Sequence, residues 1–432
     1  MMETLSRYPH HLVFVMLLIY FLEGVNESII APFFPTRAKI QHSLIQTYIG
    51  IVMSAADIGA VFVIGLSLMF IRYINKTYLY MFGSIISGLM MASFGLVDYI
   101  QLTWQYFILC TVIRFLVGAG SSLIIITTLP LLSRPCLIPL EGTFAVLLWI
   151  YYIGLSSGPI IGATLNFFLE YEYIFLTVGS LEMVLAIYAT AILSQIDDST
   201  AKVTTDVSYS KYGKFLIRPI LILMFLSVVV IFIQGGLFEG GLAIYIEENL
   251  ELEKTLTVTF FSFCCLGSLL GGMCTLFYLI PKGHGSRSFC IGGLFSVACI
   301  TSMWIIFHIL SERWSFTYSV VFSCLMFILG ISRAIICSTL SNTVEIIYFK
   351  SKMVKEVEGF RLFFNAVYNF WVYSARIFSL SLCGGFLIDM VGFTNVMLIS
   401  TCLSISVYFL FVILAVRLGL YKKAVLSYTD QN

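Results

Sequence analysis

Long apolar runs separated by short polar segments make up almost the whole chain. About twelve of these runs are roughly 18–25 residues long, the length at which an α-helix crosses a bilayer. They begin near positions 11, 46, 78, 104, 142, 173, 215, 256, 288, 316, 360 and 394. The pattern predicts an all-α polytopic membrane protein. The composition agrees, since 59% of the 432 residues are hydrophobic and 11% are charged, whereas soluble proteins carry about 25% charged residues.

The longest polar segment between runs divides them into two sets of six. It covers residues 195–214 and contains six charged residues. We therefore expect an N-terminal six-helix half over residues 1–194, a cytosolic linker over 195–214, a C-terminal six-helix half over 215–417 and a cytosolic tail over 418–432. Related sequences at corresponding places in the halves favour an internal duplication, which predicts a substrate site between the halves near the bilayer midplane.

Lysine and arginine are unevenly distributed over the connecting segments. With a cytosolic N-terminus, 17 of the 24 basic residues lie in inner segments, four lie in outer segments and three lie inside spans. Inner loops of membrane proteins carry this excess of positive charge. The distribution therefore predicts that both termini are cytosolic.

Charge and cysteine content exclude several other classes of protein. A net charge of +1 gives no reason to expect a nucleic-acid partner, and no protein partner is indicated. The 11 cysteines lie in or beside apolar runs, and the five histidines are scattered without ligand spacing. We therefore expect the lipid bilayer as the surroundings, with no disulfide, metal site, cofactor or catalytic residue.

Several charged residues lie inside the predicted spans. A charged side chain at the bilayer centre costs about 2.5–3.5 kcal/mol on insertion scales, so each one is either a functional candidate or a member of a neutralised structural pair. These residues are Glu23, Glu27, Asp57, Arg114, Glu182, Glu239, Arg333 and Arg376.

Glu23 and Glu27 are four residues apart and therefore share a helix face. Two carboxylates that close in a low-dielectric cavity do not both ionise easily, so one of them can carry a proton or exchange it for a cation. We expect Glu23 to line a transport cavity. For Glu27, the pattern favours equally a cavity and a solvated position near the outer headgroups.

The other acids in the spans leave two interpretations open. Asp57 suits a cavity or a structural pair equally well. Glu182 suits a structural role better, because it falls on the sixth helix, which is usually peripheral in two-half folds. Glu239 follows the polar stretch 234–236, so it lies either buried at a helix break or at the wet end of a span.

The arginines in the spans require partners. An arginine stays charged in a protein, and in lipid it needs a carboxylate, carbonyl groups or water. Glu23 or Glu27 is a candidate partner for Arg114, or Arg114 belongs to a structural ion pair. Arg333 and Arg376 also need partners, which the sequence does not name.

Small residues recur at helical spacing in the fifth span. Gly154, Gly158 and Gly162 are four residues apart and form one smooth stripe on which another backbone can pack closely. Pro159 removes one backbone donor there and bends the helix. The glycine stripe is therefore a candidate helix-packing and gating motif.

Together these positions resemble the vesicular amine transporter group of the major facilitator superfamily, and most closely its vesicular polyamine transporter-like branch. Glu23, nine residues before Pro32, is similar to the first-helix acid that contacts the amine. Arg114-x3-Gly118-x-Gly120 is similar to the fourth-helix motif whose arginine is linked to proton coupling. The stretch 154–162 is similar to the fifth-helix antiporter motif G-x3-G-P-x3-G.

The resemblance extends less closely into the second half. Glu239 is similar to the seventh-helix acid implicated in substrate or proton handling. Glu345 corresponds to an acid at the inner end of the tenth helix, and Gly384-Gly385 to the turn that leads into the twelfth.

The chain also departs from this family. The family's second–third loop carries G-x3-D-[RK]-x-G, but no Asp lies between Gly65 and Lys76, so the inner gate must close differently. Monoamine transporters have a lysine in the second helix and an aspartate in the eleventh. Ala56 and Phe370 fall at about those places, which indicates that both members of a charge pair are lost and argues against monoamine substrates.

The resemblance implies a two-half fold that exchanges protons for an organic cation, such as a polyamine or another amine, by alternating access. It favours the membrane of a vesicle or other acidic organelle over the plasma membrane. Glu23, Glu27, Asp57, Arg114, Glu239 and Glu345 are the candidate substrate- and proton-binding residues. The alternatives are a plasma-membrane drug-type exporter or uniporter of another small solute, and a degenerate sensor or scaffold that no longer transports.

Overall fold

The computed structural model describes residues 10–70, 75–132, 140–194, 218–249, 254–279, 285–310, 316–350 and 357–417. Within these ranges the chain is helical and contains no β-strand. The described part contains twelve helices that are long and apolar enough to cross a membrane, and their spans begin within four residues of the predicted starts. The all-α polytopic fold is therefore confirmed, whereas the predicted linker and tail lie outside the described residues.

We number the membrane helices TM1 to TM12 in chain order. The first six are TM1 His10–Ser28, TM2 Gln46–Phe70, TM3 Lys76–Phe94, TM4 Thr103–Leu132, TM5 Leu140–Phe168 and TM6 Tyr171–Leu193. The last six are TM7 Pro219–Leu237, TM8 Lys254–Cys274, TM9 Gly285–Leu310, TM10 Phe316–Lys350, TM11 Val357–Ile377 and TM12 Phe393–Arg417. A short helix, Phe34–His42, connects TM1 to TM2, and TM3 continues into the 3-10 turn Gly95–Tyr99.

Three of the last six helices continue into π-helical segments. TM7 passes through Phe238–Leu242 into Ala243–Asn249, TM8 ends in Thr275–Leu279, and TM11 passes through Phe378–Phe386 into Leu387–Val391. A π turn widens the helix and breaks the regular i→i+4 ladder, and such turns occur frequently at functional sites. The segments in TM7 and TM11 contain Gly240-Gly241 and Gly384-Gly385, respectively.

The end of the bundle where TM1 leads into TM2 is called the outer end, following the orientation predicted from lysine and arginine. An ion pair ties the TM1–TM2 connection to the end of TM3 there. The Arg37 guanidinium donates to Asp98, with Nε 2.9 Å from Oδ1 and Nη2 2.5 Å from Oδ2. Hydrogen bonding to Asp98 raises the pKa of Arg37, so the cation is held in this pair.

The glycine stripe of TM5 packs against TM1, within the first six helices. A Cβ atom at Gly154 would collide with the Phe21 carbonyl oxygen, and one at Gly158 would collide with the Ser28 hydroxyl. On TM1, Gly24 meets the Tyr151 carbonyl in the same way. Because glycines face each other from both helices, the two backbones approach closely. The stripe therefore joins TM1 to TM5 and does not lie between the two sets of six helices.

The remaining motif glycines also lie at close helix contacts. Gly118 faces the Ala56 carbonyl of TM2, and Gly120 faces the backbone of TM3. In TM11, Gly384 faces the Gly236 carbonyl of TM7, whereas Gly385 faces TM2 beside Gly50. Of the predicted motif glycines, Gly385 is therefore the one whose lack of a side chain lets a helix of the other set approach.

Candidate transport site

Arg376 on TM11 connects acidic residues from three other helices. Its Nε atom lies 2.6 Å from Glu27 Oε1 on TM1 and 3.0 Å from Asp57 Oδ1 on TM2. Its Nη2 atom lies 3.6 Å from Glu239 Oε2 in the π-helical segment of TM7. All four side chains are buried. One guanidinium therefore joins the first six helices to the last six in the middle of the bundle.

Two further arginines flank this contact. Arg333 on TM10 places Nη1 3.8 Å from Glu239 Oε1. Arg114 on TM4 donates from Nη1 to the Asn26 carbonyl oxygen at 3.2 Å, and it interacts electrostatically with Glu27 and Asp57. We call the set Glu27, Asp57, Glu239, Arg114, Arg333 and Arg376 the central ion cluster. With every member ionised, its three acids balance its three arginines.

These positions decide several alternatives that the sequence leaves open. Glu239 is buried in a π-helical segment of a span that continues past it, so it does not lie at the end of that span. Glu27 is also buried and accepts a hydrogen bond from the Tyr151 hydroxyl, so it is not solvated near the headgroups. Glu345 lies on TM10, but its side chain is outside the described residues.

The expectation that the charge pair between the second and eleventh helices is lost needs correction. Asp57 on TM2 and Arg376 on TM11 form an ion pair between those same two helices, with the acid on TM2 and the base on TM11. Relative to the pair of the monoamine transporters, the signs are exchanged. The residues at the family's positions, Ala56 and Phe370, are uncharged, and the pair is formed instead by Asp57, next to Ala56, and by Arg376, six residues after Phe370.

A second acidic group, Glu23 and Glu182, lies inside the first six helices. Glu23 Oε2 accepts from the Ser87 hydroxyl at 3.3 Å, and Glu182 Oε2 accepts from Asn26 Nδ2 at 2.5 Å. Asn26 lies three residues after Glu23 on the same face of TM1, so its contact with Glu182 makes the two carboxyl groups neighbours. Both side chains are buried, at 1% and 0% exposure. We call Glu23 and Glu182 the carboxyl pair.

TM6 is peripheral, as expected, because 33% of its span is buried. Glu182 nevertheless lies on the face of TM6 that contacts TM1. The peripheral position of TM6 therefore does not exclude a functional role for Glu182. The signal available in the sequence was a single carboxyl group in the middle of an apolar span, and that signal does not show which way the side chain points.

Two cavities adjoin these groups. The larger, about 600 Å³, lies between the first and last six helices and reaches Glu239 and Arg333. The rest of its wall is mainly apolar and is formed by residues that include Leu155, Pro159, Ile231, Phe238, Phe261, Met326 and Leu329. The smaller, about 250 Å³, is lined by Glu23, Glu27, Asp57 and Arg114. Glu23 therefore faces the same cavity as part of the central ion cluster.

Polar contacts close the outer end between TM2 and the last six helices. The Gln46 side-chain amide donates from Nε2 to the carbonyl oxygens of Gly240, at 2.6 Å, and Gly384, at 2.7 Å. The Thr47 backbone amide and hydroxyl donate to Asp389 Oδ2 at 2.7 and 2.5 Å. We call these five residues the outer latch. Both carbonyl acceptors of Gln46 lie in π-helical segments, so these widened turns supply its acceptors.

Comparison with known proteins identifies the family. The sequence model of the Major Facilitator Superfamily matches residues 16–378. The chain belongs to the Major Facilitator Superfamily. A comparison with curated protein sequences finds no match. Membership points to a membrane transporter rather than an enzyme.

Two solved structures are similar to this Major Facilitator Superfamily member over most of its length. One is a bacterial homologue of the iron transporter ferroportin in an outward-facing state, with a TM-score of 0.66, 14% identity, and coverage of 93% of this chain and 98% of that chain. The other is the nucleoside transporter NupG, with a TM-score of 0.66, 14% identity, and coverage of 93% and 99%. At this level of identity, the likeness shows the fold alone.

Proposed function

We propose that the protein is a proton-coupled antiporter that exchanges protons for an organic cation by alternating access. The observation that supports this proposal is the charge balance inside the bundle. The described residues place five buried acids, but three arginines, in the membrane interior: Glu23, Glu27, Asp57, Glu182 and Glu239 with Arg114, Arg333 and Arg376.

The excess negative charge belongs to the carboxyl pair. Arg333 and Arg376 form ion pairs with the acids of the central ion cluster, and Arg114 interacts electrostatically with Glu27 and Asp57. Among the described residues, no ion pair to Glu23 or Glu182 occurs. An uncompensated charge in the bilayer interior is costly. Protons or a cation can each neutralise the same excess, so the two compete for it. Competition for one charge is what an exchanger requires.

The cavity walls favour an organic cation. Apolar and aromatic side chains form most of the larger cavity, whereas Glu239 supplies a carboxylate. An amine with a hydrocarbon body suits such a lining, because its ammonium group can approach a carboxylate while its methylene groups contact apolar walls. Phe238 and Phe261 can add cation–π contacts, worth about 0.5–2 kcal/mol each. Polyamines and other amines are the substrate class that we propose.

The proposed roles follow from these positions. Glu23 binds the cation or the proton, Arg114 modulates the neighbouring carboxyl groups, and Glu239 provides an acid from the last six helices. Two six-helix halves, divided at residues 195–214, would rock about this site. With both termini in the cytosol, the exchanger would operate at a vesicle or another acidic organelle.

The direct test is uptake of labelled spermidine, spermine and serotonin into proteoliposomes with an acidic interior, with and without a protonophore. We expect accumulation that collapses with the pH gradient. Glu23→Gln should abolish it, whereas Glu172→Gln, on the half-buried end of TM6, should not. Gradient-independent equilibration would instead indicate a uniporter. Absence of flux of every amine, from folded protein, would reject the proposed function, and a parallel assay with ferrous iron would then test a metal cation.

A further inference from the structure

We propose that Glu23 and Glu182 hold one proton between them, and that this shared proton is the one exchanged during transport. The proposal rests on the proposed antiport function for its role in coupling, but the proton site itself depends on the geometry of the carboxyl pair. It gives Glu182, which the sequence favours as a structural residue, a direct part in proton binding.

Each carboxyl group has one oxygen with a donor and one without. Ser87 and Asn26 donate to the Oε2 atoms of Glu23 and Glu182. The Oε1 atom of each residue is buried and has no hydrogen-bond partner. Asn26 donates to Glu182 and lies three residues after Glu23, on the same face of TM1, so the two carboxyl groups are neighbours. A single shared proton removes the repulsion between two adjacent carboxylates and occupies an unused oxygen.

Tyr80 on TM3 provides a second, independent observation. Its side chain is fully buried, its hydroxyl has no hydrogen-bond partner, and it interacts electrostatically with both acids. A buried hydroxyl without a partner is costly, so its place beside the pair needs an explanation. Its hydroxyl is an unused donor on the helix that also carries Ser87, the donor to Glu23.

Charged and titratable groups on the neighbouring helices lie around the pair. They are Tyr20 and Glu27 on TM1, Asp57 on TM2, Tyr80 on TM3, Arg114 on TM4, Tyr151 on TM5 and Tyr373 on TM11. Arg114 is the cation in this set, and it contacts the Asn26 carbonyl and interacts with Glu27 and Asp57 of the central ion cluster. Because no arginine among the described residues forms an ion pair with Glu23 or Glu182, we assign the neutralisation of the carboxyl pair to a proton.

Asn26 links the carboxyl pair to the central ion cluster. Its side-chain amide donates to Glu182, whereas its backbone carbonyl accepts from Arg114. The next residue, Glu27, is paired with Arg376. A change in charge at Glu182 therefore acts directly on Asn26. The Asn26 carbonyl accepts from Arg114, and Asn26 lies on the same helix as Glu23 and Glu27.

The proton balance is simple. With one proton shared, the pair carries a single negative charge; when that proton leaves to water, the pair carries two. Arrival of a cationic substrate at Glu23, which lines the smaller cavity, compensates for the new charge. When the substrate leaves, a proton from the acidic side returns to the pair.

Infrared spectroscopy of the purified protein in lipid tests the site without any substrate. The wild type should show the carbonyl band of a protonated carboxyl group, sensitive to deuterium. Glu23→Gln and Glu182→Gln should each remove it, because one ionised carboxylate beside a neutral glutamine carries the same charge as the singly protonated pair. Glu172→Gln should retain it. Persistence of the band in either variant of the pair would overturn the sharing of the proton.

Transport then tests the role of the proton. Glu182→Gln should lose spermidine accumulation driven by a pH gradient while keeping spermidine-for-spermidine exchange without a gradient, and that exchange should no longer depend on pH. Retained accumulation by Glu182→Gln would contradict the coupling role. A wild type with the expected infrared behaviour but no amine flux would reject the proposed function and leave the proton site standing; the reverse result would reject the proton site alone.

Discussion

The outer latch offers a direct way to shift the conformational equilibrium. Gln46→Leu keeps the approximate volume of the side chain but removes the amide that bridges Gly240 and Gly384. Both acceptors are backbone carbonyls of the last six helices, and Gln46 itself lies at the start of TM2. The substitution therefore removes a contact that exists when the outer end is closed and is absent when TM2 separates from TM7 and TM11.

The expected size of the effect follows from the two hydrogen bonds. Each contributes about 0.5–1.5 kcal/mol net, so their loss destabilises the closed outer end by about 1–3 kcal/mol. This corresponds to a change of about 5- to 150-fold in the equilibrium between closed and open forms. The substitution also leaves the carbonyl oxygens of Gly240 and Gly384 without these hydrogen bonds in the closed form. Opening lets water reach them, which shifts the equilibrium further toward the open form.

Spin-label distance measurements can detect this shift. Labels at Ile45→Cys and Met390→Cys, both exposed at the outer end, would be used in a background without other cysteines. Gln46→Leu should increase the population of long distances. Gln41→Leu makes the same chemical change at an exposed position on the short outer helix and should leave the distribution unchanged. Identical distributions in the two variants would refute the latch.

Three further predictions concern the ion pair, helix packing and orientation. Asp57→Lys or Arg376→Asp alone should abolish transport, because each leaves like charges buried together, whereas the double variant should regain part of the uptake; failure to regain any would contradict a pairwise role. Gly154→Ala should lower the midpoint of thermal unfolding, since overpacking costs about 1–3 kcal/mol, whereas Gly65→Ala, with nothing within 4 Å of its added Cβ, should not; equal midpoints would contradict the packing argument. Gln101→Cys, exposed beyond the end of TM3, should react in intact cells with a membrane-impermeant maleimide if the protein is directed to the surface; reaction after permeabilisation alone would reverse the predicted orientation.

The membrane helices were predictable because an apolar run of about twenty residues has the length of a helix that crosses a bilayer. The candidate charges were predictable for a related reason, since a charge inside such a run is costly and therefore conspicuous. Their pairing was not predictable from the chain. Asp57 and Arg376 are 319 residues apart, and helix periodicity does not show which helices meet.

Other parts of the site left a weaker signal. Glu182 stood out as a buried charge, but its direction depends on how TM6 packs against TM1. Gln46 left no signal, because a single glutamine at the start of a span is ordinary and its partners are backbone carbonyls. Those carbonyls lie in π-helical segments. The sequence shows the pairs Gly240-Gly241 and Gly384-Gly385 in these segments, but it does not predict that the helices widen there.

The distribution of buried charge also has a consequence for how the protein is made. Among the described side chains of the bundle interior, the first six helices hold four buried acids and one arginine, whereas the last six hold one acid and two arginines. The ribosome delivers the first set before the second. Until TM11 is inserted, Glu27 and Asp57 lack Arg376, and Arg114 is the arginine of the first set that interacts with them. The two sets carry opposite excess charge, so Arg376 completes the ion cluster late, when TM11 joins acids that entered with TM1 and TM2.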